Sequence, residues 1–374
     1  MPTLTRREVL ALLGAAAVAP AKEAPTAPVA VARCRTYDQE MVTTLSTLMD
    51  QIGGLDRLVK NKTVTIKLNL TGSPALKVQG MALGLTHYTH PAMVEAFLTL
   101  LDRAGARRIR LVESCWATGG PLEEYLLDSG WRVRRLQSAS SKVEFENTNA
   151  LGLGKRYSRL KVPTVGHMFP AYDLNHAYED TDVFMTIAKL KNHATCGVTL
   201  ALKNSFGITP ASIYGDDAGE QEPNEQPGKG RVTVMHLGKR PPAKSAPGEL
   251  RPGFSKDAGY RVPRIVADLA AARPIDLALI DGIETLAAGE GPWIRGVRPV
   301  SPGVLIAGTN PVTTDAVATA IMGYDPQANR GTAPFQTCDN TMKLAEAHGI
   351  GTTDLKRIEV RGVSIQQAKY AFPT

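Results

Sequence analysis

The chain has 374 residues, with 43 Lys+Arg against 36 Asp+Glu, a formal net charge of +7, and 43% hydrophobic and 21% charged residues. These proportions are those of a globular protein and exclude a disordered chain, a collagen-like fibre and a disulfide-dense miniature scaffold. No apolar run reaches the roughly 20 residues a membrane helix needs. The basic residues also lack the interleaved aromatics of a single-strand nucleic-acid binder.

In chain order, Thr5-Arg6-Arg7-Glu8 leads into an apolar stretch over 10–19 and the small-residue site Ala19-Pro20-Ala21. Charged, apolar and small-residue regions in that order make an export signal. The paired arginines predict the twin-arginine route, with residues 1–21 removed and the mature protein periplasmic or extracellular. Residues 22–60 read as a linker and lead-in, Pro/Ala-rich over 22–35. From residue 61 strands and helices alternate. Strands are predicted at 63–70, 108–112 and 131–136, and helices at 91–104 and 122–128. Pro91 suits a first helical turn and Gly105 the position beyond the end. After a strand at 143–145 the pattern loosens, and a buried strand returns at 183–190.

Residues 210–260 form a Gly/Pro/charge-rich insert, read as a mobile cover that orders over ligand. The alternation resumes with helices at 262–273 and 311–322 and strands at 275–281, 303–307 and 357–360. The reading is therefore an α/β fold with a mainly parallel sheet flanked by helices. It spans about 61–362 in two lobes that meet near 180–210, with a tail at 363–374.

The chemistry concentrates at predicted strand ends. Lys189, Lys191 and His193 share one face if the strand runs on, because side chains alternate with a period of two. Lys67 and Asn69 repeat the spacing after the first strand, and Lys203 and Asn204 follow shortly after His193. Cations cannot stand unpaired inside a covered sheet, but they suit its carboxyl edge, where open α/β sheets bind ligands. Lys67, Asn69, His90, Lys189, Lys203 and Asn204 are therefore the expected ligand-binding residues. His193, Lys191 and Asp281 are the expected catalytic ones. A second, acidic group includes Asp281, Glu284, Glu290 and Asp315; its carboxylates suit a hard cation, a general base, or salt bridges to the lysines. His87, His90, Glu290 and Asp315 are the expected ligands if a divalent metal takes part, although Pro91 biases His90 away from the helical geometry an i, i+3 pair requires. His167, His176, His236 and His348 read as surface or loop residues. Cys34, Cys115, Cys196 and Cys338 indicate no disulfide pairing and no iron–sulfur cluster motif.

Val64-Thr65-Ile66-Lys67-Leu68-Asn69-Leu70, Thr89-His90-Pro91, Lys189-Leu190-Lys191-Asn192-His193, Leu202-Lys203-Asn204-Ser205-Phe206-Gly207, Asp281-Gly282-Ile283, Gly289-Glu290-Gly291-Pro292 and Asp315-Ala316-Val317-Ala318 occur in this order. Together they resemble the family called domain of unknown function 362. Asn192 stands where that pattern has threonine, and the iron–sulfur ferredoxin segment some relatives carry is missing. The resemblance implies motifs but no reaction. Three functions fit the sequence: an exported enzyme handling a small anion, metal-assisted or not; a non-catalytic binder of an anion, metal or cofactor; and a redox accessory protein whose iron–sulfur cluster lies on a partner.

Overall fold

A computed structural model describes residues 23–38, 40–149 and 157–373; the predicted export signal lies outside them. Eight strands form one sheet: β1 (Val29–Arg33), β2 (Thr63–Lys67), β3 (Arg108–Glu113), β4 (Val143–Asn147), β5 (Val183–Lys189), β6 (Leu277–Gly282), β7 (Val304–Gly308) and β8 (Val360–Gly362). Their spatial order is β8-β1-β7-β6-β5-β2-β3-β4. Only β7 runs antiparallel to its neighbours; the other pairs are parallel. The fold is thus α/β with a mainly parallel sheet.

Each strand divides its side chains between two cores. Val183, Met185 and Ile187 join Val64, Ile66, Leu277 and Leu279 on one face, beneath Leu45 and Leu48 of helix Met41–Gln51 and Phe97 and Leu101 of helix Pro91–Arg103. Phe184, Ala278 and Ile280 face the other way, toward Val262, Ile265 and Leu269 of helix Ala258–Ala272 and Val317 of helix Pro311–Ile321. Burial of each large aliphatic or aromatic side chain contributes on the order of 1.5–3 kcal/mol. His90 and Asn310 cap the two helices that begin with proline, by accepting backbone N–H groups from Ala92 and from Val312 and Thr313.

The strand order sets the position of the site. From β2 the chain moves outward through β3 to β4, then returns to place β5 on the opposite side of β2. Connections leave the carboxyl ends of β2 and β5 in opposite directions, and such a switch point opens a crevice in an α/β sheet. The strands before and after residues 180–210, where two lobes were expected to meet, join one sheet through β5.

Three local expectations differ from the structure. Residues 29–33 lie within the expected linker but form β1, whose Val29, Ala30 and Val31 are buried between β7 and β8. Residues 133–139 are helical, with Leu136 buried, where a strand was read. The 210–260 insert is better anchored than its composition suggests. Val234, Met235, Ala243 and Ala246 are buried, Asp216 accepts the Val232 N–H at 3.1 Å, and Arg261 pairs with Glu249 at 2.5 Å. Scattered small anchors leave no periodic signal, which is why the segment reads as a loose loop.

Candidate functional site

A cavity of about 370 Å³ opens at the switch point, lined by residues that include Lys67 and Asn69 at the carboxyl end of β2, Glu113 and Ser114 at that of β3, and Lys191 and His193 beyond β5. Thr199, Lys203 and Asn204 supply a second wall, Arg231 and His236 of the insert a third, and Glu290 and Trp293 a fourth. Lys67, Asn69, Lys191, His193, Lys203 and Asn204, all expected at a site, therefore border one space.

The cations of this wall differ in their pairing. Lys67 Nζ lies 2.5 Å from Glu113 Oε1 and donates to the Leu68 carbonyl at 2.7 Å. Burial pulls the lysine down and pushes the carboxyl up, and their ion pair opposes both shifts. Lys191 Nζ donates to the His87 carbonyl at 2.7 Å. Burial holds it well below the ordinary lysine value, with Glu290 acting the other way. Lys203 Nζ has no hydrogen-bond or ion-pair partner among the described residues; it sits 4.5 Å from the Phe206 ring centroid, and burial lowers its pKa as well. Arg231 donates one bond to the Ser114 carbonyl at 3.1 Å, while its buried Nε has no partner among the described residues. Asn69 Oδ1 and Thr199 Oγ1 are likewise buried and unpartnered. A buried polar atom without a partner carries a cost of about 1–3 kcal/mol, so three of them around one cavity mark a surface suited to a polar ligand.

His193 Nδ1 accepts the Thr195 N–H at 3.1 Å. The neutral ring therefore carries its proton on Nε2. Burial, followed by nearby Lys203, holds His193 well below the usual imidazole value. Glu290 Oε2 lies 3.9 Å from His193 Nδ1 and accepts the Ala194 N–H at 2.9 Å, while Oε1 accepts the Trp293 indole N–H at 2.9 Å. Burial works to raise this carboxyl, but His193 and the two N–H donors outweigh it and bring it down to about 2. His236, expected at the surface, lines the cavity; burial lowers it to about 4. Asn69 Nδ2 donates to Asn204 Oδ1 at 2.9 Å, and Asn204 Nδ2 donates to Thr186 Oγ1 at 2.7 Å, locking both amides.

Lys189 and Asp281 do not line the cavity. They are register neighbours on parallel strands β5 and β6, and Nζ meets Oδ2 at 2.8 Å with both side chains fully buried. Lys189 also donates to the Tyr37 hydroxyl at 3.0 Å and to the carbonyls of Gly84 at 2.7 Å and Glu284 at 2.6 Å. It continues the period of Val183, Met185 and Ile187 and so lies on their face, whereas Lys67 continues the opposite set from Val64 and Ile66. The role expected of Asp281 as a catalytic group and of Lys189 as a ligand contact gives way to an internal ion pair.

The expected metal ligands His87, His90, Glu290 and Asp315 do not form a ligand cluster. His90 Nδ1 accepts the Ala92 N–H at 3.2 Å and its ring stacks on Tyr37 at 3.6 Å. Asp315 accepts the N–H groups of Ala201 at 2.9 Å and Leu202 at 2.8 Å, anchoring the start of helix Leu200–Asn204. His87 packs edge-on to Trp293, and burial drops it to about 3. Among the described residues one group has metal-ligand geometry, His167, Asp268 and His348. Its atoms already bond one another and the chain: His348 Nε2 meets Asp268 Oδ1 at 3.0 Å, and Asp268 accepts the N–H groups of His167, Met168 and Phe169. Its two histidines read as isolated because 181 positions separate them in sequence (348 − 167). All four cysteines are buried free thiols.

Glu113, Ser114, Trp116, Arg231 and Trp293 are among the lining residues not singled out beforehand. Glu113 and Ser114 do carry a signal, as they directly follow the strand predicted at 108–112. Arg231 carries none within the insert.

Two solved structures resemble this fold. One, a Thermotoga maritima protein, has a TM-score of 0.34 and 14% identity, covering 71% of this chain and 55% of the other. The other, a lactate racemase apoprotein from Thermoanaerobacterium thermosaccharolyticum, has a TM-score of 0.33 and 9% identity, covering 74% and 54%. The chain thus spans about half the length of either one. A thylakoid-associated protein of Synechocystis sp. is 25% identical over 304 residues, 80% of this chain and 75% of that protein. A family model described as Domain of unknown function (DUF362) matches residues 64–320, and the chain belongs to that family.

Proposed function

We infer that the protein binds a small anionic ligand in the cavity between β2, β5 and the insert. The observation that carries this reading is the charge imbalance of the wall. Glu113 is engaged by Lys67 and Glu290 by the N–H groups of Ala194 and Trp293, while Lys191, Lys203 and Arg231 make no salt bridge to a carboxylate among the described residues. A cation held in low dielectric without a counter-charge is costly, and an anion removes that cost through charge-assisted hydrogen bonds. Lys191 and His193 are the groups suited to proton transfer at the bound anion, with Nε2–H of the neutral imidazole as donor. Calorimetric titration with sulfate and with malonate tests the binding. Both are expected to bind the wild type and to weaken together in Lys203→Met; no binding of either overturns the reading.

The paired arginines Arg6 and Arg7 support export of this binding protein. A reporter fused after residue 30 is expected outside the cytoplasm, and Arg6→Lys with Arg7→Lys is expected to retain it inside.

A further inference from the structure

The mouth of the cavity is apolar. Of the large hydrophobic side chains that stand exposed, Leu76 at 46%, Trp116 at 46%, Val232 at 52% and Trp293 at 43% all border this one opening. They come from four separate stretches of chain. Scattered exposed hydrophobics need no explanation, but a set converging on one opening marks a binding surface.

Of the two indoles, Trp293 is fixed in place. Trp293 lies against the backbone of Gly72 and Gly291, where an added Cβ would strike its ring, and its N–H is held by Glu290. The Gly72 carbonyl that shapes this platform accepts the hydroxyls of both Tyr88 and Tyr125. Trp116 packs beside Gly230 of the insert. An exposed aromatic held rigid before ligand arrives loses little freedom on binding.

We propose that the ligand is an amphipathic dianion, with its acid head between Lys191, Lys203 and Arg231 and a flat apolar body against Trp116 and Trp293. This rests on the anion reading and adds the ligand's class. Two negative charges suit the head because Lys203 and Arg231 lie without carboxylate partners among the described residues while Lys191 already donates to a carbonyl. A phosphate monoester and an aromatic dicarboxylate both meet this description.

The test compares inorganic phosphate with phenyl phosphate, and malonate with phthalate, by calorimetry on the full chain. Burial of a ring at about 25 cal/mol per Å² predicts that at least one aromatic probe binds about tenfold or more tightly than its small counterpart. The pair showing the gain identifies the head group. Trp116→Ser is expected to erase the gain, weakening the aromatic probes more than phosphate or malonate, with Trp116→Phe retaining part of it. Lys203→Met is expected to weaken every probe. If the small anions bind and neither aromatic probe gains, the amphipathic assignment fails and the anion site stands. If Trp116→Ser weakens small and aromatic probes equally, the assignment also fails. If no probe binds, both readings fall.

Discussion

Lys189 and Lys191 are two positions apart and both buried, yet Lys189 is surrounded by four oxygen partners and Lys191 has one. The strand ends at Lys189, so its ammonium stays with the β6 carboxylate in register beside it. Beyond that end Lys191 turns to the cavity wall. Structural and cavity-lining cations are thus separated by a single residue.

The Lys189–Asp281 pair is expected to act on stability and not on ligand. Removing one partner leaves an uncompensated buried charge and costs about 3–5 kcal/mol. Asp281→Leu alone should lower the melting temperature sharply, and Lys189→Met with Asp281→Leu should recover part of the loss. Sulfate affinity of the folded double variant is expected to match the wild type; a large drop would return these residues to the site.

Lys203 is expected to behave in the opposite way. Lys203→Met removes an ammonium that lacks a partner among the described residues, so the ligand-free protein should melt at the same or a higher temperature. Sulfate affinity should fall between about tenfold and a hundredfold, the range of a lost charge-assisted hydrogen bond. Thermal melts with and without sulfate measure both effects together.

Lys191 gives a pH signature. Its folded pKa lies well below the ordinary 10.5, so between the folded value and 10.5 the unfolded chain binds more protons. Stability of the ligand-free protein therefore rises with pH across that window, and the gain disappears as pH falls through the folded value. Anion binding favours the protonated amine, so sulfate affinity should fall as pH rises and saturating sulfate should flatten the stability slope. Denaturant titrations of wild type and Lys191→Met isolate this contribution, and identical slopes would contradict it.

Asp315 has the opposite sign. Burial pushes its carboxyl up to about 8 from an ordinary 3.8. The stability it contributes is complete below 3.8 and is lost as pH rises through about 8. Asp315→Asn should flatten that decline, whereas Asp315→Ala should lose about 1 kcal/mol of capping at the start of helix Leu200–Asn204. Denaturant midpoints across this pH range check both.

Periodicity and strand-end chemistry made much of this protein legible without coordinates. Alternating strands and amphipathic helices specify an α/β sheet, Pro91 and Asn310-Pro311 mark helix starts, and polar residues closing apolar strands locate a carboxyl edge. Local signals ended there. Whether Lys189 or Lys191 meets a ligand depends on where β5 stops and which residue lies beside it on β6. That register is a long-range pairing which no local pattern encodes. Arg231, His236 and Trp293 reach the cavity because buried anchors and glycine contacts fold distant loops over the switch point. The sequence by itself determined most of the elements, though not β1 or the helix at 133–139, and the chemistry they carry, because both follow from local propensity and side-chain period. Tertiary structure alone decided which cations are neutralised and which remain for a ligand, because neutralisation depends on ångström-scale distances between residues far apart in the chain.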